Sequence, residues 1–237
     1  MDALSETLRV VRLIGAIFIH GRFTAPWCYQ SPHADAAAPC GYLACDARLA
    51  RMLLAGLPPT VRVSVRGSNA GVWLEASLRY ALAEARSPRP GGAGVLAKLA
   101  EVLFIEVLRL YMNEQSDGRT GWLAGVNDRI VGAALRSMHM HPAQAWTLEE
   151  LARAAGTSRS VLAERFQQLV GSSPMQYLGQ WRMLLATNLL SRSNAPLARI
   201  AEEVGYQTDT AFSRAFRREH GLPPAAWRRS HSTRAQL

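Results

Sequence analysis

Between Arg199 and Gly221 the chain sets Phe212 and Phe216 four residues apart and interleaves them with Arg214, Arg217 and Arg218. On a helix the two rings share one face and the guanidinium groups stand on another. A guanidinium is a planar, permanently charged fork that fits a carboxylate, a phosphate or the O6/N7 edge of guanine. The chemistry on offer is recognition of anions or base edges rather than bond making. No Ser-His-Asp pattern, glycine-rich phosphate loop or HExxH motif occurs. His139 and His141 are two apart, which points them away from each other on a helix and leaves no shared metal. No catalytic residue, metal or cofactor is therefore expected.

Charge supports the recognition reading. The chain of 237 residues carries a formal net charge of +9, and residues 128–237 hold 14 basic residues, all arginine, against eight acidic ones. Such an excess suits a polyanion, because each cation that meets a phosphate releases condensed counterions. The N-terminal "MDALSETL" lacks a basic signal-peptide start, and "VVRLIGAIFI" spans about half a membrane and is interrupted by Arg12. A cytoplasmic protein with no membrane partner is expected. Cys28, Cys40 and Cys45 lack C-x-x-C spacing, so free thiols are the default; oxidation of a pair among them is the functional alternative.

The elements that must position the arginines come from an internal repeat. "LEELARAAG", 148–156, aligns with "LARIAEEVG", 197–205, at an offset of 49. With one more residue in the turn, Leu162, Phe166, Gly171, Pro174 and Tyr177 match Phe212, Phe216, Gly221, Pro224 and Trp227. Each copy reads as a short helix, a glycine turn and a second helix capped by Ser158 or Thr208. This is the helix-turn-helix pattern, whose second helix enters a DNA major groove. Between the copies, "PMQYLGQWRMLLATNLLS" is a helix roughly 26 Å long. With a packed helix at each end it sets the two recognition helices roughly 34 Å apart, one turn of B-DNA.

In the first recognition helix Arg159, Ser160, Ala163 and Glu164 face outward by spacing; in the second, Asp209, Thr210, Ser213 and Arg214 do. Glu164 accepts from a cytosine amino group or pairs with Arg165 or Arg159. Arg214 reads guanine through its fork or bridges to an acid on the preceding helix. Arg217 and Arg218 are assigned to phosphates or solvent. Arg182, among apolar residues of the middle helix, ties the two halves together, with Glu202 or Asp209 as partner. Tyr177, Trp181 and Trp227 are assigned to the core.

Upstream, "LRVVRLIGAIFI" and "GRFTAPWCY" suit strands, and "CGYLACDARLARMLLAGLPPTVRVSV" reads as a short helix, a proline stop and a strand. "VWLEASLRYALAEAR" and "VLAKLAEVLFIEVLRLYM" have helical period and form a hairpin. Leu96, Leu99, Leu103 and Leu110, with the run Val102–Ile105, exceed what one partner helix can cover, which suggests a homodimer interface. A polar gap, "NEQSDGRTG", separates this part from the repeat.

From 128 to 229 the sequence, through "LARAAGTSRSVLAERFQQLVGSSPMQYLGQWRMLLATNLL" and "IAEEVGYQTDTAFSRAFRREHGLPPAAWRR", resembles the AraC/XylS family of bacterial transcription regulators. Through "GRFTAPWC", "CGYLACD" and "GVLAKLAEVLFIEVLRLYM", the rest resembles the subgroup with a cupin barrel and two dimerisation helices. Only about ten residues stand where such relatives carry a long stretch of barrel strands. The resemblance implies double-stranded DNA as partner, with RNA polymerase as a further one.

The expected fold is mainly α. Residues 1–66 form an incomplete, β-rich, cupin-like regulatory region, 67–123 a helical dimerisation hairpin and linker, and 124–237 an all-α DNA-binding domain with two helix-turn-helix motifs. The expected function is sequence-specific transcription regulation through successive major grooves. The rivals are a cupin-type metal or small-ligand binding protein or enzyme with an appended helical domain, which needs a histidine-rich barrel, and a non-specific DNA-binding protein.

Overall fold

The computed structural model describes residues 2–5, 7, 14–18, 26–28, 40–44, 57–58, 61, 63, 69–87, 89–114 and 121–232. The chain divides into two compact units, Val11–Gly118 and a second made of Met1–Val10 together with Arg119–Leu237.

In the first unit β1 (Ile14–Phe18), β2 (Pro26–Cys28) and β3 (Cys40–Ala44) form an antiparallel sheet in the order β1-β3-β2. Cys40–Ala44 was expected to open a helix; it is a strand because β1 and β2 pair with its two edges, and ladder pairing overrides a weak local helical pattern that includes Gly41. The register sets Cys28 opposite Cys40 and Phe18 opposite Cys40 on the other edge. Cys45, the expected helix and strand downstream of it, and the gap at 115–120 lie outside the described residues.

Two helices, α1 (Asn69–Arg86) and α2 (Gly92–Glu114), belong to the same unit and form the expected hairpin. Leu74, Leu78 and Ala81 of α1 are buried against Ala100 and Leu103 of α2, with Leu96, Leu99 and Leu110 packed partly buried around them. Leu103 is 3% exposed, so it is consumed inside the hairpin and is not available to a second subunit. The turn is pinned by Glu84, a buried carboxylate that accepts from the Arg89 backbone amide (3.2 Å) and from Arg89 Nε (2.8 Å). A Cβ at Gly92 would meet the Glu84 carboxylate, which would have to shift from this position.

The second unit is all helical among its described residues: α3 (Trp122–Asn127), α4 (Arg129–Met140), α5 (Leu148–Ala154), α6 (Arg159–Val170), α7 (Pro174–Arg192), α8 (Leu197–Glu203), α9 (Asp209–His220) and α10 (Pro224–Ser232). The sequence expectation opens this domain at 124, whereas α3 begins at Trp122, whose ring is 3% exposed. Residues of the N-terminal segment, Ala3, Leu4 and Thr7, are buried as well.

Candidate nucleic-acid interface

Each repeat folds as its spacing dictates. In the first, Thr147 and Glu150 form a reciprocal capping box that starts α5. The chain then turns through Gly156 at φ +65° and restarts at Ser158, whose hydroxyl accepts from the Val161 amide. In the second, Gly205 at φ +82° makes the turn, and the Thr208 hydroxyl accepts from the Ala211 amide. Both glycines hold backbone that side chains with a Cβ rarely adopt. Both recognition helices, α6 and α9, end on a left-handed glycine, Gly171 and Gly221.

The inner stripes are fully buried: Leu162 and Phe166 in α6, Phe212 and Phe216 in α9. The long helix α7 serves both motifs. Its first half supplies Tyr177, edge-on to Phe166 at 5.5 Å, and its second half supplies Met183, Ala186 and Leu190 to the cluster around Phe212, Phe216, Ile200 and Trp227. Tyr177, Trp181 and Trp227 are core residues, as expected. At 19 residues α7 is about 28 Å long, which fixes the scale of the separation between the motifs.

The opposite faces are solvent-exposed. On α6, Arg159, Ser160 and Glu164 are exposed and Ala163 is half-buried; on α9, Asp209, Thr210, Arg214, Arg217 and Arg218 are exposed and Ser213 is half-buried. The ten residues therefore form two separate outward faces, one per recognition helix. Among the described residues none forms an ion pair with Arg214, Arg217 or Arg218. The bridge from Arg214 to the preceding helix is thus not made, and Glu202 and Glu203 of α8 do not engage it. Arg217 and Arg218 sit in the last turn of α9, where the helix C-terminus also favours cations.

The first motif handles its charges differently. Arg165 turns away to Asp128, donating from Nε (2.8 Å) and from a terminal nitrogen (2.6 Å). Asp128 is also the N-cap of α4, its other oxygen accepting from the amides of Ile130 and Val131. Burial raises the Asp128 carboxyl, but Arg165 and the two amides outweigh it and hold it below the usual carboxylate range. With Arg165 so engaged, Glu164 instead accepts from Gln168 Nε2 at 3.3 Å. This contact leaves its carboxylate exposed and turned to solvent.

Arg182 also departs from expectation. Its partners are neither Glu202 nor Asp209: Nε donates to the Pro142 carbonyl and a terminal nitrogen to the Gln144 carbonyl, both at 2.8 Å. The guanidinium carbon lies 5.8 Å from the centre of the Tyr206 ring. Backbone acceptors of this kind carry no signature in side-chain spacing.

A second feature with little sequence signal lies under the first motif. His139 is 4% exposed and stacks on Trp181 at 3.9 Å. The Trp122 indole can only donate, and it donates to the Tyr177 hydroxyl at 2.7 Å. The Ala3 carbonyl can only accept, so His139 Nδ1 carries the proton and donates to it at 3.2 Å. Its Nε2 is then the acceptor for the Tyr177 hydroxyl at 2.8 Å. The relay runs in one direction, from Trp122 through Tyr177 and His139 to Ala3, and it requires a neutral imidazole. Burial holds His139 down at about 4. Among the described residues no group of three or more His, Cys, Asp or Glu could hold a metal, and no helix is long and apolar enough to cross a membrane.

Comparison with known proteins agrees with this geometry. A family described as "Helix-turn-helix domain" matches residues 151–230, and one described as "Cupin" matches 31–113. A protein of Streptomyces antibioticus named as an AraC-like transcription regulator is 41% identical over 181 residues, 75% of this chain and 58% of its own length. The HTH-type transcriptional regulator AlkR of Acinetobacter baylyi is 34% identical over 184 residues, 77% of this chain and 60% of its own. The chain thus spans about three fifths of the length of these relatives. Among solved structures, the DNA-binding domain of AdpA in complex with a target DNA is 31% identical, covering 47% of this chain and 100% of that one, with a TM-score of 0.44. The helix-turn-helix match spans the repeat and its linker helix, and the chain carries a helix-turn-helix domain of the AraC type, similar to that of relatives named as AraC-like transcription regulators.

Proposed function

We propose that the protein is a sequence-specific transcription regulator that inserts α6 and α9 into successive major grooves of double-stranded DNA. The observation that carries this reading is the pairing of two capped recognition helices on one rigid connecting helix, each with its apolar stripe buried and its polar stripe exposed. A non-specific DNA binder needs no such paired arrangement, and the names of the relatives point the same way.

Within this reading the two helices do different work. The face of α9 carries three arginines free of described acidic partners, and Arg214 lies between the exposed Thr210 and the last turn, where its fork reaches a guanine edge. Arg217 and Arg218 hold phosphates. On α6 the face is formed by Arg159, Ser160, Ala163 and Glu164, of which Glu164 suits a cytosine amino group. Replacing Arg214 by alanine is expected to lower preference for the selected site over random DNA by about 1–3 kcal/mol. Replacing Arg217 should weaken all sequences alike and reduce the salt slope by about one. Titrations of duplexes at several salt concentrations check both. An unchanged specificity ratio in Arg214→Ala would remove that residue from base reading.

The unit containing α1 and α2 is proposed to hold two copies together. With Leu103 buried within the hairpin, the stripe of Val95 and Val102 on α2, 45% and 44% exposed with Leu99 between them, is an apolar face open to a partner. A double Val95→Asp, Val102→Asp chain should sediment as a monomer where the parent sediments as a dimer, and its melting should no longer rise with protein concentration. A monomeric parent would refute the dimer.

A further inference from the structure

Arg182 sits at the middle of α7, between Trp181, which belongs to the core of the first motif, and Met183, which belongs to the cluster of the second. Its side chain does not point along either core. It reaches the loop that leads into α5 and ties two carbonyls of that loop, Pro142 and Gln144, to the linker helix. The loop is itself tight: Gln144 donates its amide to the His141 carbonyl (3.2 Å), and Trp146 donates its amide to the Gln144 carbonyl (2.7 Å) and its indole to the His141 carbonyl (2.9 Å). On the other side the guanidinium rests on Tyr206, which stands edge-on to Phe212 of α9 at 5.8 Å.

The turn of the second motif closes on the same place. A Cβ at Gly205 would lie 2.8 Å from the Ala143 Cα, 2.9 Å from the Ala143 carbonyl oxygen and 2.8 Å from an Arg182 terminal nitrogen. The backbone of the second helix-turn-helix therefore approaches the lead-in loop of the first so closely that only glycine fits. A single chain of contacts runs from the entrance of the first motif, through Arg182 and Tyr206, to the recognition helix of the second. Arginine suits this junction because it cannot lose its charge and its fork serves two acceptors while its flat face stacks on a ring.

We infer that Arg182, with Tyr206 and Gly205, is a positioning latch that sets the angle between the two helix-turn-helix motifs and so the spacing of the two half-sites the protein accepts. The inference rests on the two-groove reading. A helix such as α7 fixes the distance between its ends, but rotation of a motif about its seat on that helix is controlled only by contacts that bridge the motifs. The junction just described is such a bridge. A few degrees of freedom there would displace α9 along the groove by a fraction of a base pair and relax the demand for one spacing.

The test uses the full chain. A bipartite site is first selected from random duplexes with the parent protein, and binding is then measured on that site with one, two and about five base pairs inserted between its halves, the last being half a turn. The parent is expected to lose about tenfold or more in affinity on the one- and two-pair insertions. Arg182→Ala is expected to bring that penalty to within about threefold of none, and Arg182→Lys, which keeps the charge but not the fork, to restore it only partly. Tyr206→Leu retains an apolar contact with Phe212 while removing the ring face, and should relax spacing in the same direction if Arg182→Ala folds poorly. A purely structural arginine would lower melting temperature and all affinities together with the spacing preference intact, and that result in both variants overturns the latch. Failure of the parent to select any bipartite site would sink the two-groove reading and the latch with it, whereas selection of a site with unchanged spacing preference in the variants sinks the latch alone.

Discussion

Replacing Phe216 by alanine is expected to destabilise the second helix-turn-helix by about 3–5 kcal/mol, the usual cost of emptying a buried aromatic site. Phe216 has no exposure and touches Phe212 (5.7 Å between ring centres), Trp227 (6.0 Å) and His220 (4.4 Å). Its removal would leave the inner face of α9 without its centre, and α10 would lose the ring against which Trp227 packs. Because Met183, Ala186 and Leu190 of α7 form the other wall of the same cluster, the loss reaches the connecting helix too. Total stability of a domain this size is about 5–15 kcal/mol, so the variant should sit near its unfolding threshold at ordinary temperature. Urea denaturation followed by tryptophan fluorescence, with Phe166→Ala as the matched change in the first motif, measures the effect. A loss below about 1 kcal/mol would show that the cluster is loosely packed and can collapse around the gap.

The second large effect is on acid stability. His139 is buried neutral, and its protonation is pushed down from 6.5 to about 4. The unfolded chain takes up this proton near 6.5, which the folded chain refuses until about 4, so the unfolded state binds more protons throughout that interval. Stability is therefore complete above about 6.5 and falls as pH is lowered toward 4, by on the order of 3 kcal/mol in all. Below 4 the loss continues through Asp128, whose depressed carboxyl contributes stability that disappears as it is protonated. Protonation of His139 also turns Nε2 from acceptor into donor, so the Tyr177 hydroxyl proton loses its acceptor and the relay from Trp122 to Ala3 breaks. Thermal melting between pH 4 and 7 should show the decline in the parent chain. In His139→Phe, which keeps a ring against Trp181, the slope in that interval should flatten on a lower plateau, since the Ala3 carbonyl and Tyr177 hydroxyl are left unsatisfied. An equally steep slope in the variant would assign the acid sensitivity elsewhere.

The two motifs were legible because they are written in local terms. Helical period, cap residues such as Ser158 and Thr208, turn glycines and the Leu162/Phe166 and Phe212/Phe216 pairs all act within a few residues of one another, and the repeat states each of them twice. The hairpin of α1 and α2 was legible for the same reason. What escaped depends on distant partners. Arg165 reaches back 37 positions to Asp128, His139 reaches 136 to Ala3, and Arg182 chooses carbonyls, which every residue possesses. For His139 a faint signal existed: its ring lies on the same α4 face as the apolar Val131, Leu135 and Met138, all fully buried. The strand at Cys40–Ala44 was missed because its state is decided by the two neighbours that pair with it, and nothing in its own residues announces them.

The relay that ends on Ala3 means that the first residues of the chain and its last 119 residues belong to one packed body, with Val11–Gly118 strung between them. Topologically the intervening unit is an insertion, moored at both ends to the same host rather than hanging from a single linker. A chain cut anywhere inside the insertion would still be held together by the host's own packing, through Ala3, Leu4 and Thr7. By the same logic, removing the first ten residues to isolate the helical body takes away part of that body's wall and the acceptor of its buried histidine.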